Sequence, residues 1–186
     1  IADADAEIQR FKGALERTIA DTERMAQDLA ARVGEKEAEI MQGHMMLLSD
    51  PMLTGEIENA VRNEKVNSEI AIENVCNMYA DMFASMGDEL MQQRATDMRD
   101  IKTRMQKTLM GIQSVDIAAL APGSVLVAKD LTPSMTAGIN PANVVGIVTE
   151  LGGRTSHSAI LARALEIPAV VAVTGFLSGV RDGDEV

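Results

Sequence analysis

The sequence has almost no cysteine and few aromatic residues. Cys76 is the single cysteine among 186 residues, which excludes a disulfide framework and a multi-cysteine zinc site and is typical of a reducing cytoplasm. There is no tryptophan, one tyrosine and three phenylalanines, against 13 methionines. This composition predicts an aliphatic, methionine-filled core of the kind found between packed helices.

Long apolar runs and a surplus of positive charge are also missing. No uninterrupted apolar stretch reaches the roughly 20 residues that span a bilayer, and nothing resembles a signal peptide. The formal net charge is -11, whereas a nucleic-acid surface needs clustered Lys and Arg. We therefore expect a soluble cytoplasmic protein with no membrane and no nucleic-acid partner, and the acidic balance favours a basic protein partner.

The first 113 residues have the hydrophobic period of helices. Apolar residues from Ile8 to Val33 recur at spacings of three and four, and Gly34 ends this first helix. Gly111 is the expected stop of the last helix. Four further helices are predicted, over about 35–48, 51–65, 67–86 and 88–109. Connected antiparallel helices with such apolar stripes form a bundle.

The pattern changes at about 113–116. Three short β-branched runs, SVLVAKD, VVGIVTE and AVVAV, predict strands. The segment SAILARALE predicts a helix between the last two strands, and LTPSMTAG predicts a short helix earlier. Strand, helix and strand at this spacing form a βαβ unit, so we predict a compact α/β domain over 114–186. We expect this domain to be incomplete at its ends and the chain to be a piece of a longer polypeptide.

The segment GGRTSH lies between a predicted strand and a predicted helix. At a helix N-terminus the first amides lack intrahelical partners and the helix dipole is positive, so the position favours an anion. The loop donors are Gly152, Gly153, Arg154, Thr155 and Ser156. His157 could accept a phosphoryl group on one ring nitrogen if a fixed acceptor holds the proton of the other. The residues alone leave two interpretations open, an anion or phosphoryl site and a glycine turn whose histidine caps a helix.

The stretch GGRTSHSAILARALEIPAVV resembles the phosphohistidine signature of the phosphoenolpyruvate-utilising enzymes. Three further stretches, GHMMLLSDPML, RATDMRDI and VLVAKDLTPSMTA, resemble the enzyme I family of the bacterial phosphotransferase system, the phosphoenolpyruvate-protein phosphotransferases. The resemblance covers nearly the whole chain. It implies an α+β fold of two subdomains, in which a helical bundle of the HPr-binding type (1–113) is inserted in a swivelling α/β phosphohistidine domain (114–186).

The resemblance also implies residue roles. His157 would take a phosphoryl group from phosphoenolpyruvate on Nε2 and pass it to the carrier protein HPr, the first step of the sugar phosphotransferase system. Thr136 would hold the other ring nitrogen, although from the residues alone Thr136 is a helix-cap candidate. Lys36 stands where family members carry a glutamate, and Pro51 and Met52 replace an acidic pair. The implied carrier-binding residues are Glu35, Met46, Leu47, Asp50, Leu53 and Arg94.

The same resemblance assigns the phosphoenolpyruvate-binding barrel, the Mg²⁺ ligands and a homodimer interface to a C-terminal domain that is absent here. We therefore expect no metal in this chain, and phosphate exchange with HPr but no use of phosphoenolpyruvate alone. His44 has no ligand at i+3 or i+4 and is predicted to be structural or at an interface. Arg154 is favoured as a phosphate contact, whereas Arg163 is expected to face solvent or an adjacent domain.

Three alternatives remain at the level of the sequence. A nitrogen-regulatory or dihydroxyacetone-kinase paralogue of enzyme I would retain both parts of the chain. Pyruvate phosphate dikinase and phosphoenolpyruvate synthase have a similar histidine domain but lack the helical insertion. A non-catalytic helical scaffold would bind an anion at the glycine loop without covalent chemistry.

Overall fold

The structure is a computed structural model that describes residues 1–185. By its contacts the chain divides into two compact units. The first comprises Ile1–Asp28 and Ala38–Ser114, and the second comprises Leu29–Glu37 with the residues from Val115 onward. The contacts thus group residues 29–37 with the second unit, and the division into domains 1–113 and 114–186 stays a prediction.

Five helices account for most of residues 1–114. They are α1 (Ala4–Arg32), α2 (Glu35–Leu48), α3 (Pro51–Asn59), α4 (Ser68–Ser85) and α5 (Glu89–Met110). Three of them begin at capping residues that the sequence supplies, since Asp50, Asn67 and Asp88 each accept a hydrogen bond from a backbone N–H of the following turn. The third predicted helix ends differently from the prediction. It changes to a π-helical turn over Ala60–Glu64, and Lys65 then adopts a left-handed φ of 57°.

The core of the first unit is aliphatic and rich in methionine, as the composition predicts. Met41, Met98 and Met105 are almost completely buried, together with Phe11 on α1. Cys76 is also buried in this core, and burial raises the pKa of its thiol to about 12. The thiolate is therefore not populated near neutral pH, which leaves Cys76 unreactive.

A charged cluster joins α1 to α4 within the first unit. Glu7 accepts hydrogen bonds from the Arg10 guanidinium at 2.7 Å and from the backbone N–H of Ser68 at 2.7 Å. Arg10 also pairs with Glu69 at 2.5 Å. The hydrogen-bonded guanidinium of Arg10 lowers the pKa of Glu7 from its ordinary value of 4.5 to about 2. The charged carboxylate is therefore favoured by the folded state.

This cluster predicts a pH-dependent stability. Because the pKa of Glu7 is lower in the folded chain, its contribution is complete above about pH 4.5 and is lost as the pH falls towards 2. At about pH 6 we expect Glu7→Gln to lower the free energy of unfolding by roughly 1.5–3 kcal/mol. Urea unfolding of both chains between about pH 6 and pH 2 measures this difference. A difference that does not shrink on acidification would contradict the assignment.

The second unit contains a three-stranded parallel sheet in the order β1-β2-β3. Its elements are β1 (Ser124–Ala128), α6 (Pro133–Ala137), β2 (Val144–Thr149), α7 (His157–Ala164) and β3 (Ala169–Val170). β3 is shorter than the predicted run AVVAV, because Ala172 adopts a left-handed φ of 63° beyond it. A small apolar core lies around Ile139, Val144 and Ile147.

Helices and a small parallel sheet together confirm the predicted α+β class. None of the helices within residues 1–185 combines the length and the apolar character needed to cross a membrane.

Candidate functional site

The glycine loop connects the carboxyl end of β2 to the first turn of α7. In parallel α/β sheets, ligands bind beyond the carboxyl ends of the strands. Gly152 has φ 95°, and a Cβ there would lie 3.3 Å from Ser156 Oγ, so the loop requires glycine at this position. Gly153 borders open space, since a Cβ at that position would have no heavy atom within 4 Å.

Ser156 is the N-cap of α7. Its Oγ accepts from the backbone N–H of Ala159 at 3.3 Å and donates to the carbonyl of Gly153 at 2.8 Å. One hydroxyl group, that of Ser156, therefore both caps α7 and stabilises the glycine turn. The interpretation of His157 as the helix cap is not what the structure shows, because Ser156 takes that role and His157 is the first helical residue.

His157 is half-buried, and its Nε2 atom is buried. Ser158, next along α7, is only 1% exposed. An imidazole thus lies at the positive end of a helix, beside a glycine turn and several hydroxyls. Because Nε2 is buried, an incoming phosphoryl group reaches it only after a rotation of the ring or a movement of its surroundings.

Thr136 lies on α6, and α6 packs against α7. Its side chain is buried, and its Oγ1 donates to the carbonyl of Pro133 at 2.8 Å. The cap of α6 is Thr132, whose Oγ1 accepts from Met135 at 3.4 Å, so Thr136 is not a cap residue. Because the single hydroxyl hydrogen is donated to Pro133, Thr136 Oγ1 can act towards any other group only as an acceptor.

The two arginines near the loop are both exposed, and one hydrogen bond connects them. Arg154 and Thr155 are exposed. Arg163 Nη2 donates to the carbonyl of Arg154 at 3.1 Å and so supports the loop from α7. Sequence reasoning missed this contact. The available signal was that long helical side chains lean towards the N-terminus of their helix, which points Arg163 back towards the loop.

The six residues expected at the carrier face have different environments. Met46 is 73% exposed, and Leu47 is partly buried against the helical core. Leu53 is only 2% exposed, so its side chain does not reach the surface. The Asp50 carboxylate caps α3 by accepting from Met52 N–H. Glu35 is exposed and groups with the second unit, whereas the other five lie in the first.

His44 and Arg94 both lie near the carboxylate of Asp97. His44 is fully buried and its Nε2 lies 3.2 Å from Asp97 Oδ1. This environment accords with a structural role, one of the two that the sequence left open for His44. Arg94 is partly exposed beside the same carboxylate. Within the described residues, no group of three or more His, Cys, Asp or Glu side chains is arranged to hold a metal ion.

Comparison with known proteins identifies the family. Residues 1–94 match the model of the N-terminal region of PEP-utilising enzymes, and residues 120–186 match that of their mobile domain. The phosphoenolpyruvate-protein phosphotransferase of Listeria monocytogenes serovar 1/2a is 41% identical over 186 residues, or 100% of this chain and 32% of that protein. The protein of the same name from Bacillus subtilis is 38% identical over 98% of this chain and 32% of its own length. The chain thus spans about a third of the length of these relatives.

Two solved structures have a similar fold. The NMR solution structure of an Enzyme I (nEIt) protein is 40% identical, with a TM-score of 0.81 over 97% of this chain and 73% of that chain. The second structure is described as the N-terminal domain of "Enzyme 1 - Nitrogen". It is 30% identical, and the match covers 92% of this chain and 69% of that chain with a TM-score of 0.66. The resemblance to enzyme I is therefore confirmed, and the chain belongs to the PEP-utilising enzymes, of which it carries the N-terminal and mobile regions.

Proposed function

We propose that this chain is the phosphohistidine and carrier-binding portion of a phosphoenolpyruvate-protein phosphotransferase. In the whole enzyme, His157 takes the phosphoryl group of phosphoenolpyruvate and passes it to an HPr-like carrier. The observation that carries the proposal is the position of His157, which opens a capped helix directly after the glycine loop at the carboxyl end of β2. A cytoplasmic location accords with this function.

The chemistry needs a neutral imidazole with one free lone pair. Nε2 forms the new N–P bond while the bond from phosphorus to the donor atom breaks, and the proton of the other ring nitrogen stays on the ring. Thr136 Oγ1 is the acceptor we assign to that proton, because its own hydrogen is already donated to Pro133. A held tautomer keeps the reactive nitrogen unprotonated.

The loop supplies the anion site for the transferred group. Gly152 and Gly153 allow close approach of backbone amides, and the helix dipole adds positive potential at the same point. We assign Arg154 and Thr155 as further donors to the phosphoryl oxygens. Ser156 Oγ donates its hydrogen to the Gly153 carbonyl, so we assign Ser156 the role of holding the loop in shape. Arg163 supports this loop through its contact with the Arg154 carbonyl and is not assigned a phosphate contact.

The helical unit is the proposed docking surface for the carrier. Met46 and Met52 are 73% and 68% exposed and provide apolar contact area, and the net charge of -11 favours a basic partner. Leu47, Asp50 and Arg94 are the further positions of this unit that we assign to the surface. Glu35, which groups with the second unit, is assigned to the carrier on the family resemblance alone. Leu53 supports this surface from the core. Phosphoenolpyruvate and Mg²⁺ binding, and a homodimer interface, are assigned to the rest of the enzyme.

The decisive experiment is to mix the chain with phosphorylated HPr and measure its intact mass. We expect one added phosphate that is labile in acid and stable in alkali, and no labelling by phosphoenolpyruvate alone. Unphosphorylated HPr is the negative control, and the nitrogen-branch homologue of HPr tests the paralogue. Rapid labelling by phosphoenolpyruvate alone would contradict the proposed division of the enzyme. If neither active carrier transferred phosphate to the chain, the remaining interpretation would be a non-catalytic scaffold that binds an anion at the glycine loop.

A further inference from the structure

The guanidinium of Arg94 lies against a glycine of the neighbouring helix. A Cβ at Gly43, in the interior of α2, would be 3.0 Å from Arg94 Nη1 and 3.9 Å from Arg94 Cζ. Glycine in a helix interior is unfavourable relative to alanine. Glycine at position 43 therefore makes α2 less stable than alanine would, and it leaves room for the guanidinium of Arg94.

A buried carboxylate lies within ion-pair distance of the same guanidinium. Asp97 Oδ2 lies 3.9 Å from Arg94 Nη1, and Arg94 is one turn earlier on α5. The other carboxylate oxygen, Oδ1, lies 3.2 Å from His44 Nε2 on α2. The side chain of Asp97 is 9% exposed, whereas that of Arg94 is 35% exposed. The carboxylate thus connects a buried imidazole to a cation that reaches the surface.

The tautomer of His44 follows from its surroundings. His44 Nδ1 is buried and has no hydrogen-bond partner among the described residues. A proton on Nδ1 would therefore be buried without an acceptor, which is unfavourable. A proton on Nε2 can instead be donated to Asp97 Oδ1, which lies 3.2 Å away. This hydrogen bond fixes the carboxylate and leaves its negative charge for Arg94.

We propose that Gly43, His44 and Asp97 form an arginine seat, which positions the guanidinium of Arg94 for carrier recognition. A held guanidinium loses less side-chain freedom when it binds a carbonyl or carboxylate of the partner, so the seat contributes affinity through preorganisation. The inference rests on the proposed function for the identity of the partner. It adds three positioning residues, none of which contacts the carrier itself.

Gly43→Ala separates recognition from stability. The new methyl group displaces Arg94 while alanine favours α2, so the chain should unfold at the same or a higher urea concentration. We expect HPr to bind about 3- to 10-fold more weakly, measured by calorimetry. Gly13→Ala is the matched control, since its Cβ would lie at an ordinary 3.6 Å from Arg17 and does not approach Arg94.

A double variant tests whether the effect passes through Arg94. With Arg94→Ala in both chains, Gly43→Ala should cost no further affinity, because the group that it displaces is gone. An equal loss in both backgrounds, or wild-type affinity for Gly43→Ala, would overturn the seat.

A second readout does not depend on the carrier. In the free chain, the Nε–H NMR signal of Arg94 should report a restrained side chain, and this restraint should be lost in Gly43→Ala. His44→Gln, which keeps an N–H donor, should retain more restraint than His44→Leu. An Arg94 side chain as mobile as the exposed Arg24 in the wild-type chain would overturn the proposal. If the wild-type chain failed to bind HPr, the proposed function would fail while this measurement still decided the seat.

Discussion

We expect His157→Ala to accept no phosphoryl group from phosphorylated HPr, a loss of more than about a thousandfold relative to the wild-type chain. The substitution removes the nucleophile, and no other group at the glycine loop replaces it. Ser156 is engaged as the cap of α7, with its hydrogen donated to Gly153. Intact mass after mixing with the phosphorylated carrier measures the loss.

The same variant contains its own controls. The residues of the helical unit that we assign to the carrier surface are unchanged, so HPr should bind His157→Ala with wild-type affinity. His44 is the other of the two histidines and is fully buried, so it should stay unlabelled. Retention of an acid-labile phosphate in His157→Ala would refute the assignment of the phosphohistidine. If His157→Ala lost both HPr binding and phosphate labelling, the substitution would have damaged the fold.

Thr136→Val should slow phosphoryl transfer by roughly 10- to 100-fold, by analogy with the loss seen when the outer hydrogen-bond partner of a metal-binding histidine is removed. Valine keeps the shape and β-branching of threonine but removes the acceptor oxygen. The lost hydrogen bond to Pro133 also costs roughly 1 kcal/mol of stability. Thr136→Ser restores the acceptor, so it should transfer at a rate close to that of the wild type.

Two measurements separate orientation of the ring from general damage. Transfer rates of the valine and serine variants should be compared with their urea midpoints. The ¹⁵N shifts of the His157 imidazole should show one held tautomer in the wild type and in Thr136→Ser, and a mixture in Thr136→Val. Equal transfer rates and equal tautomer populations in the two variants would exclude Thr136 as the acceptor.

The helices could be predicted from the sequence because their signals are local. Asp50, Asn67 and Asp88 are caps within three residues of the amides they satisfy, and Gly111 ends α5 with a left-handed φ of 66°. Each interaction depends only on neighbours in the chain. The π-helical turn at Ala60–Glu64 was not foreseen, because no residue type marks it.

The candidate phosphohistidine was also evident in the sequence, for the same reason. The strand, glycine loop and helix around His157 are contiguous, and the residues of the loop determine the turn and the cap. Arg163, nine residues from the carbonyl that it contacts, was missed, since the contact depends on the rotamer that a side chain adopts along α7.

The sequence by itself determined the α+β class, the helix limits set by capping residues, and the glycine loop that precedes His157. Tertiary structure alone decided that Leu53 is buried, that α6, which carries Thr136, packs against α7, and that His44 meets Asp97, 53 residues further along the chain. Local conformation depends on the few residues that form each turn or cap. Contacts between distant residues depend on how helices pack, and packing is set by the shapes of many side chains at once.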